Sequence, residues 1–255
     1  MTENEDAPDM SLPQGQDALI RAVAQANPHT VVVLETGGAI EMPWIESVAA
    51  VLEAWYPGTG GADAIADVLF GQVNPSGRLP VTFPVSVTQY PRPEIPGWGK
   101  PEGEYFDAAH PEGAAVGYRW MAQQKQSALF PFGFGLSYTR FEYKDLQVRG
   151  GRRLALSFTV TNVGHRPGSD VPQAYLVSVA GSPTLRLVGF RRVTLAPGQS
   201  TRVELGVDPR LTGHFDVKAN QWRIAQGAYE VAVGSSAAEH LLRDAASLRS
   251  EVLPP

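Results

Sequence analysis

AWYPGTGGADAIADVLFGQVNPSGRLPVTFP, residues 54–84, packs a turn, a helix, a second turn and a short strand into about thirty residues. Trp55-Tyr56-Pro57-Gly58 ends the element before it, which reads as a helix. Proline cannot continue a helix, and glycine accepts the backbone angles of a turn. After Gly60-Gly61, the apolar Ala64, Ile65, Val68 and Leu69 recur at helical spacing, and Gly71 is placed as the C-terminal cap. Asn74-Pro75-Ser76-Gly77 is a turn in which Pro presets φ and Gly takes the left-handed position. Leu79 to Pro84 reads as a short extended segment bounded by prolines. The stretch carries no catalytic group of its own and reads as scaffold.

Upstream, Ser11-Leu12-Pro13-Gln14 has the form of a helix start: a Ser cap, a Pro in the first turn and a Gln three residues on. Leu19, Ile20, Val23 and Ala24 then share one face, as far as the stop at Asn27-Pro28. The β-branched run Thr30-Val31-Val32-Val33-Leu34 reads as a strand buried on both faces, as in a parallel sheet. Pro43 suits a first helical turn, and Ile45, Val48, Leu52 and Trp55 make a helical stripe. The order to Phe83 is therefore helix, strand, helix, helix, strand, an α/β alternation with crossover helices. It supplies too few strands for a parallel sheet covered on both faces, so it is either a small α/β unit or part of a sheet whose first half lies outside these residues.

Residues 85–114 form a long loop rich in Pro, Gly and aromatics, and a loop of that length is usually functional or disordered. Val116-Gly117-Tyr118-Arg119-Trp120 reads as one more strand. From about Tyr143 the period changes to two: Leu154, Leu156, Phe158 and Val160 alternate with polar residues. Further strands are expected at residues 174–179, 185–190, 201–207 and 229–233, with turns at Ala196-Pro197-Gly198-Gln199 and Gln226-Gly227. Short strands separated by turns argue an immunoglobulin- or fibronectin-like β-sandwich. The expected fold is α/β plus all-β. A partial α/β sandwich, mostly parallel with covering helices, occupies residues 1–142, and a β-sandwich occupies residues 143–255.

Composition narrows the function. With 43% hydrophobic and 18% charged residues, the 255-residue chain can bury cores of two ordinary domains. A net charge of -5 gives no electrostatic reason to expect nucleic acid or anionic membranes as partners. The absence of Cys excludes disulfides, thiol catalysis and zinc–thiolate sites. No apolar run approaches the ~20 residues of a membrane span. The lack of Cys leaves the compartment open, and Met1 to Pro13 lacks the basic and apolar segments of a signal peptide, although a longer parent protein is expected to be periplasmic or secreted if it is exported.

The run YPG-GG-ADVLFG-NPSGRLPVTFP closely resembles the second, α/β sandwich domain of family 3 glycoside hydrolases, the β-glucosidase and β-xylosidase family. Phe130-Pro131-Phe132-Gly133-Phe134-Gly135-Leu136-Ser137-Tyr138-Thr139 resembles that family's passage into a fibronectin type III-like domain, so the resemblance covers nearly the whole chain. It implies retaining hydrolysis of non-reducing-end β-glycosidic bonds. Such chemistry uses two carboxyl groups about 5 Å apart, a nucleophile and an acid/base. In the family the nucleophile is an Asp in an N-terminal barrel domain, which these residues do not include. The acid/base is a Glu in a segment of the form E-G-x-D, shortly before a D-L-S-L-P-like run. Anchoring on Asp9-Met10-Ser11-Leu12-Pro13 puts Glu3 on the acid/base position and Asp6 on the motif's Asp. Asn4 stands where Gly is usual, and Glu5 is a nearby rival. No metal or organic cofactor is implied. The implied partners are a β-linked glucoside or oligosaccharide and a barrel-containing polypeptide, or a second copy of the chain. A non-catalytic carbohydrate-binding or subunit-docking module is the alternative.

Other candidates are weaker. His29, His110, His165, His214 and His240 are scattered without ligand spacing. Ser76 and Ser137 lie outside any G-x-S-x-G elbow. Gly58, Gly60 and Gly61 read as turn glycines. Aromatic rings suit the apolar faces of sugars. Trp55 and Tyr56, ending an amphipathic segment, are expected in the core, whereas Trp98, Tyr105 and Phe106 in the long loop are equally suited to binding and to packing.

Overall fold

The computed structural model describes residue 7, residues 9–101 and residues 103–255. The chain divides into two compact units. One takes the residues up to Val73 with Val81–Phe130, and the other takes Asn74–Pro80 with Pro131–Pro255. The first unit is mixed α/β and the second is a β-sandwich, as the periodicities require.

In the first unit the order is α1 (Gln16–Ala26), β1 (Val31–Leu34), β2 (Ala50–Glu53), α2 (Gly61–Leu69) and α3 (Tyr118–Gln123). Strands β1 and β2 pair in parallel, with Val31 opposite Ala50 and Leu34 opposite Glu53. The core gathers Val32, Leu34, Ile40, Met42, Trp44, Phe83 and Met121. The indole of Trp44 is buried, so its N–H needs a partner. It donates to Asp17 Oδ1 at 2.6 Å. Helix α2 forms where its spacing predicts, and Gly71, at φ 72°, closes it by donating to Val68 O.

Six local expectations are corrected. The helix expected from Pro43 to Trp55 is a single 3-10 turn, Ile45–Ser47, followed by β2. The 3-4-3 spacing of four apolar residues fits a helix, but pairing with β1 decides the matter. Val116 to Trp120 is not a strand, because Gly117 at φ 59° leads directly into α3. Leu79 to Pro84 forms no strand: Phe83 makes an isolated bridge with Phe130 and Leu79 bonds to Gly133 and Phe134, and the prolines at 80 and 84 cannot donate to a continuous ladder. β1 is not buried on both faces: Val31 is exposed while Val32 and Leu34 are buried, as expected of a strand with one neighbour and one covered face. Ser11 does not cap α1, since its N–H and hydroxyl both donate to Asp9, and a 3-10 turn at Pro13–Gly15 intervenes. Two residues of the face expected on α1, Leu19 and Val23, are exposed, and Ala24 is buried.

In the second unit, β3 (Phe141–Arg149), β4 (Ala155–Asn162), β5 (Gly168–Asp170), β6 (Gln173–Val179) and β7 (Ser182–Phe190) come first. They are followed by β8 (Val193–Leu195), β9 (Ser200–Gly206), β10 (His214–Asp216), β11 (Gln221–Ile224), β12 (Gly227–Gly234), β13 (His240–Leu248) and β14 (Glu251–Leu253). One sheet has the order β13-β12-β6-β7 and another β3-β4-β9. Shorter sheets join β10-β11-β14 and β5-β8. The core lies between the larger sheets. Leu156, Phe158 and Val160 of β4 meet Leu176 of β6 and Tyr229, Val231 and Val233 of β12. The strand alternates buried and part-exposed residues along its length, so register alone sorts apolar from polar side chains.

Asn162 ends β4 at full burial and uses both ends of its amide. It donates to Arg166 O (2.8 Å) and Leu195 O (3.0 Å), and accepts from Thr139 Oγ1 (2.7 Å) and Gly164 N (3.1 Å). Every polar atom is met, as burial demands.

Phe158→Ala is expected to cost about 3–5 kcal/mol in urea unfolding, the usual loss for truncating a sealed core aromatic. Phe190→Ala, at an exposed ring, should stay within about 0.5 kcal/mol. Equal losses would show that the β4 seam does not dominate stability.

Candidate functional site

The acid/base position Glu3, its rival Glu5, and Asp6 lie outside the described residues. The segment that follows them is anchored. Asp9 accepts from Ser11 N at 2.8 Å and Ser11 Oγ at 2.5 Å, and these bonds hold its carboxyl below the usual range. Met10 O accepts from Glu41 N at 2.9 Å, and Leu12 is buried. The Glu41 carboxylate in turn accepts from Val87 N at 2.5 Å. One residue therefore ties the N-terminal segment to the start of the long loop.

The C-terminal ends of parallel strands are where open α/β sheets gather functional groups. Here they present Thr36, Glu53, Trp55 and Tyr56. Glu53 Oε1 accepts from Trp55 N at 2.9 Å and Oε2 from Thr36 Oγ1 at 3.2 Å. Burial pushes the Glu53 carboxyl up, against the pull of those donors. A raised carboxyl is what a general acid needs. Both oxygens of Glu53 are nevertheless engaged: Oε2 is tied to Thr36, and Oε1 bonds the N–H of Trp55, which stands at φ 55° in the left-handed region. Glu53 therefore acts as a clamp on the turn. Trp55 is half-buried and contacts the Phe83 ring at 6.0 Å, as a core residue would. Tyr56, expected in the core, is 69% exposed, because the turn lays it across Gly37, where no side chain blocks its ring.

The long loop is fastened at its base. Tyr90 OH donates to Thr82 O (2.9 Å), Gln89 Nε2 to Ser127 O (3.0 Å) and Trp120 Nε1 to Gln89 O (3.0 Å). Glu112 crosses the loop, with Oε1 at 3.4 Å from both Arg92 Nη2 and His110 Nδ1. Glu112 is buried, and sequence reading missed it. A lone Glu between a Pro and a Gly carries no signal until the loop folds back on Arg92. Between these fastenings the loop turns its rings outward: Trp98 is 53% exposed and Tyr105 89%. Phe106 instead rests over Gly97, at φ 79°, a position with no room for a Cβ.

The remaining candidates do not assemble. Among the described residues no three His, Asp or Glu side chains are grouped as metal ligands. Burial pushes the His240 imidazole down, and its ring packs against Tyr175 at 5.6 Å. Ser76 Oγ accepts from Arg192, and Ser137 Oγ donates to Asn74. Among the described residues neither hydroxyl is bonded to a base. Among the described residues no helix is long and apolar enough to cross a membrane.

A mixed α/β unit with a parallel strand pair, followed by a fibronectin type III-like sandwich, is the class these features define. The model of the glycosyl hydrolase family 3 C-terminal domain matches residues 1–138, and that of the fibronectin type III-like domain matches residues 170–237. The chain belongs to glycosyl hydrolase family 3, as part of its C-terminal region. It is 44% identical over 253 residues to a beta-glucosidase of Rhizobium radiobacter, covering 92% of this chain and 30% of the relative. It is 40% identical over 249 residues to beta-glucosidase B of Emericella nidulans, with the same coverages of 92% and 30%. Among solved structures, a beta-glucosidase from Streptomyces venezuelae in complex with D-glucose matches with a TM-score of 0.85 at 38% identity, over 97% of this chain and 32% of that one. Beta-glucosidase 3B from Thermotoga neapolitana in complex with glucose matches with a TM-score of 0.86 at 31% identity, over 98% of this chain and 36% of that one. The chain thus spans about 30% of the length of the curated relatives it matches.

Because the folded state holds the Glu53 proton more tightly than the unfolded chain does, this group favours folding at low pH. That contribution fades as pH rises through the raised folded value. The stability of wild type relative to Glu53→Gln should therefore fall between pH 4 and pH 7 in urea titrations. A difference that grows over the same range would contradict the assignment.

Proposed function

We propose that the chain is the C-terminal part of a retaining β-glycosidase of β-glucosidase type, acting on non-reducing-end β-glycosidic bonds. The observation that carries this reading is the match of 92% of the chain, at 44% identity, to a protein named beta-glucosidase. Glu3 is assigned as the acid/base by the resemblance to the family's motif, anchored on Asp9-Met10-Ser11-Leu12-Pro13. It protonates the leaving oxygen and then deprotonates the attacking water. The nucleophile belongs to a barrel that residues 1–255 do not contain. These residues by themselves can neither form the glycosyl-enzyme nor hold the sugar ring, and positioning is worth several kcal/mol in such reactions. The parallel pair β1–β2 and the exposed Leu19, Val23 and Val31 support a barrel-bearing polypeptide, or a second copy, as the partner of the first unit. The outward rings of Trp98 and Tyr105 favour a second reading, a non-catalytic carbohydrate-binding module.

Residues 1–255 alone should show no hydrolysis of aryl β-glucosides. With the barrel-containing polypeptide supplied, activity should appear. Glu3→Gln should then lower kcat about 100-fold or more for poor leaving groups and far less for activated ones, which need little proton assistance. A larger loss from Glu5→Gln would move the acid/base by two residues. Unaided hydrolysis that Glu3→Gln leaves unchanged would defeat the reading.

A further inference from the structure

The β-sandwich unit includes seven residues from far upstream. Asn74–Pro80 belongs to it, although both neighbouring stretches of chain belong to the first unit. The sequence reading takes Asn74 to Gly77 as a turn with a left-handed glycine, but Gly77 does not have a positive φ. The segment is bound side chain by side chain. Asn74 donates to Pro167 O (3.0 Å) and accepts from Ser137 Oγ (3.0 Å) and Tyr138 N (2.8 Å). Ser76 accepts from Arg192 (2.9 Å). Leu79 N donates to Phe134 O (2.9 Å), and Leu79 O accepts from Gly133 N (2.8 Å).

Arg78 makes the central contact. Its Nη2 lies 2.6 Å from Asp170 Oδ1, with the two side chains 11% and 3% exposed. The other Asp170 oxygen accepts from Tyr143 OH at 2.5 Å. Burial, and then the adjacent carboxylate, pushes the Tyr143 phenol far up, so it stays a donor. The sandwich leaves room for the segment. A Cβ at Gly168 would strike the Asn74 amide, and one at Gly135 would strike Gly77 O. Asp170 thus lies against an N-x-S-G-R-L segment that the sandwich glycines leave room for, and without Arg78 its buried charge keeps only the neutral Tyr143 hydroxyl of these two partners.

We propose that the sandwich carries a recognition site for the Asn74–Pro80 segment, centred on Asp170, and that the sandwich reaches its native stability only with that segment seated. The site takes a guanidinium on an extended peptide. The fibronectin-like match, residues 170–237, contains Asp170 but lacks the segment, Tyr143 and the 133–138 strip. It therefore describes an incomplete folding unit.

The test uses the whole chain. In hydrogen exchange of the wild type, the Leu79, Gly133 and Tyr138 amides should be protected within about tenfold of those in β4, because they open only with the sandwich. Protection about 100-fold weaker would overturn the proposal, and this measurement needs no variant to fold. Arg78→Met should lower the melting temperature of the sandwich by roughly 10 °C or more, the expected effect of leaving a buried charge alone. Adding Asp170→Asn should recover part of that loss, and millimolar methylguanidinium should recover it in Arg78→Met but not in the double variant. Additive losses with no recovery would show that the segment merely lies against the sandwich.

Discussion

The β-sandwich depends on one strand being sealed on alternate positions. Leu156, Phe158 and Val160 of β4 are almost wholly withdrawn from water. Burial of side chains of this size contributes about 1.5–3 kcal/mol each, against a net stability of about 5–15 kcal/mol for a typical protein. The neighbouring strands take their register from that seam. A slip of one residue would turn Thr159 and Thr161 inward. The turn after β4 is then fixed by Asn162, whose amide finds four partners at the point where the strand leaves the core.

The α/β unit follows a different logic. It holds Trp44 and Phe83 at about 1% exposure while Leu19, Val23 and Phe70 face outward. Its polar bonds concentrate around connections: Glu53 on the turn after β2, Glu41 between two loops, and Glu112 across the long loop. Carboxylates here fix loops that apolar contact alone leaves free. Such fixing suits a region whose aromatic side chains point away from their own core.

What could be read from the sequence follows from physical scale. The β4 seam and helix α2 were legible because their periods persist over several residues. β2 was not, because four residues at helical spacing fit a short strand equally well once β1 offers hydrogen bonds. α3 was hidden by Val116, Tyr118 and Trp120, whose residue types favour strands. β13 was missed because its part-buried positions include His240, Leu242, Asp244 and Ala246, a set with little hydrophobic contrast. The strands β10, β11 and β14 are too short to show a period. Among polar groups, Glu53, Glu112 and Asp170 gave no signal, since each acquires meaning only from a partner brought close by folding. Arg78 and Asp170 are separated by 92 positions.

The interleaving of Asn74–Pro80 into the sandwich also bears on how such chains recombine. A single crossover anywhere between Pro80 and Asp170 joins one parent's arginine to another parent's carboxylate pocket. Any drift in that pairing is then exposed in the hybrid, however well each half folds in its own background. Exchange that keeps the contact must move two separate pieces of sequence together. The apparent boundary near the start of β3 is therefore a poor place to cut, because it separates Arg78 from the carboxylate it pairs with.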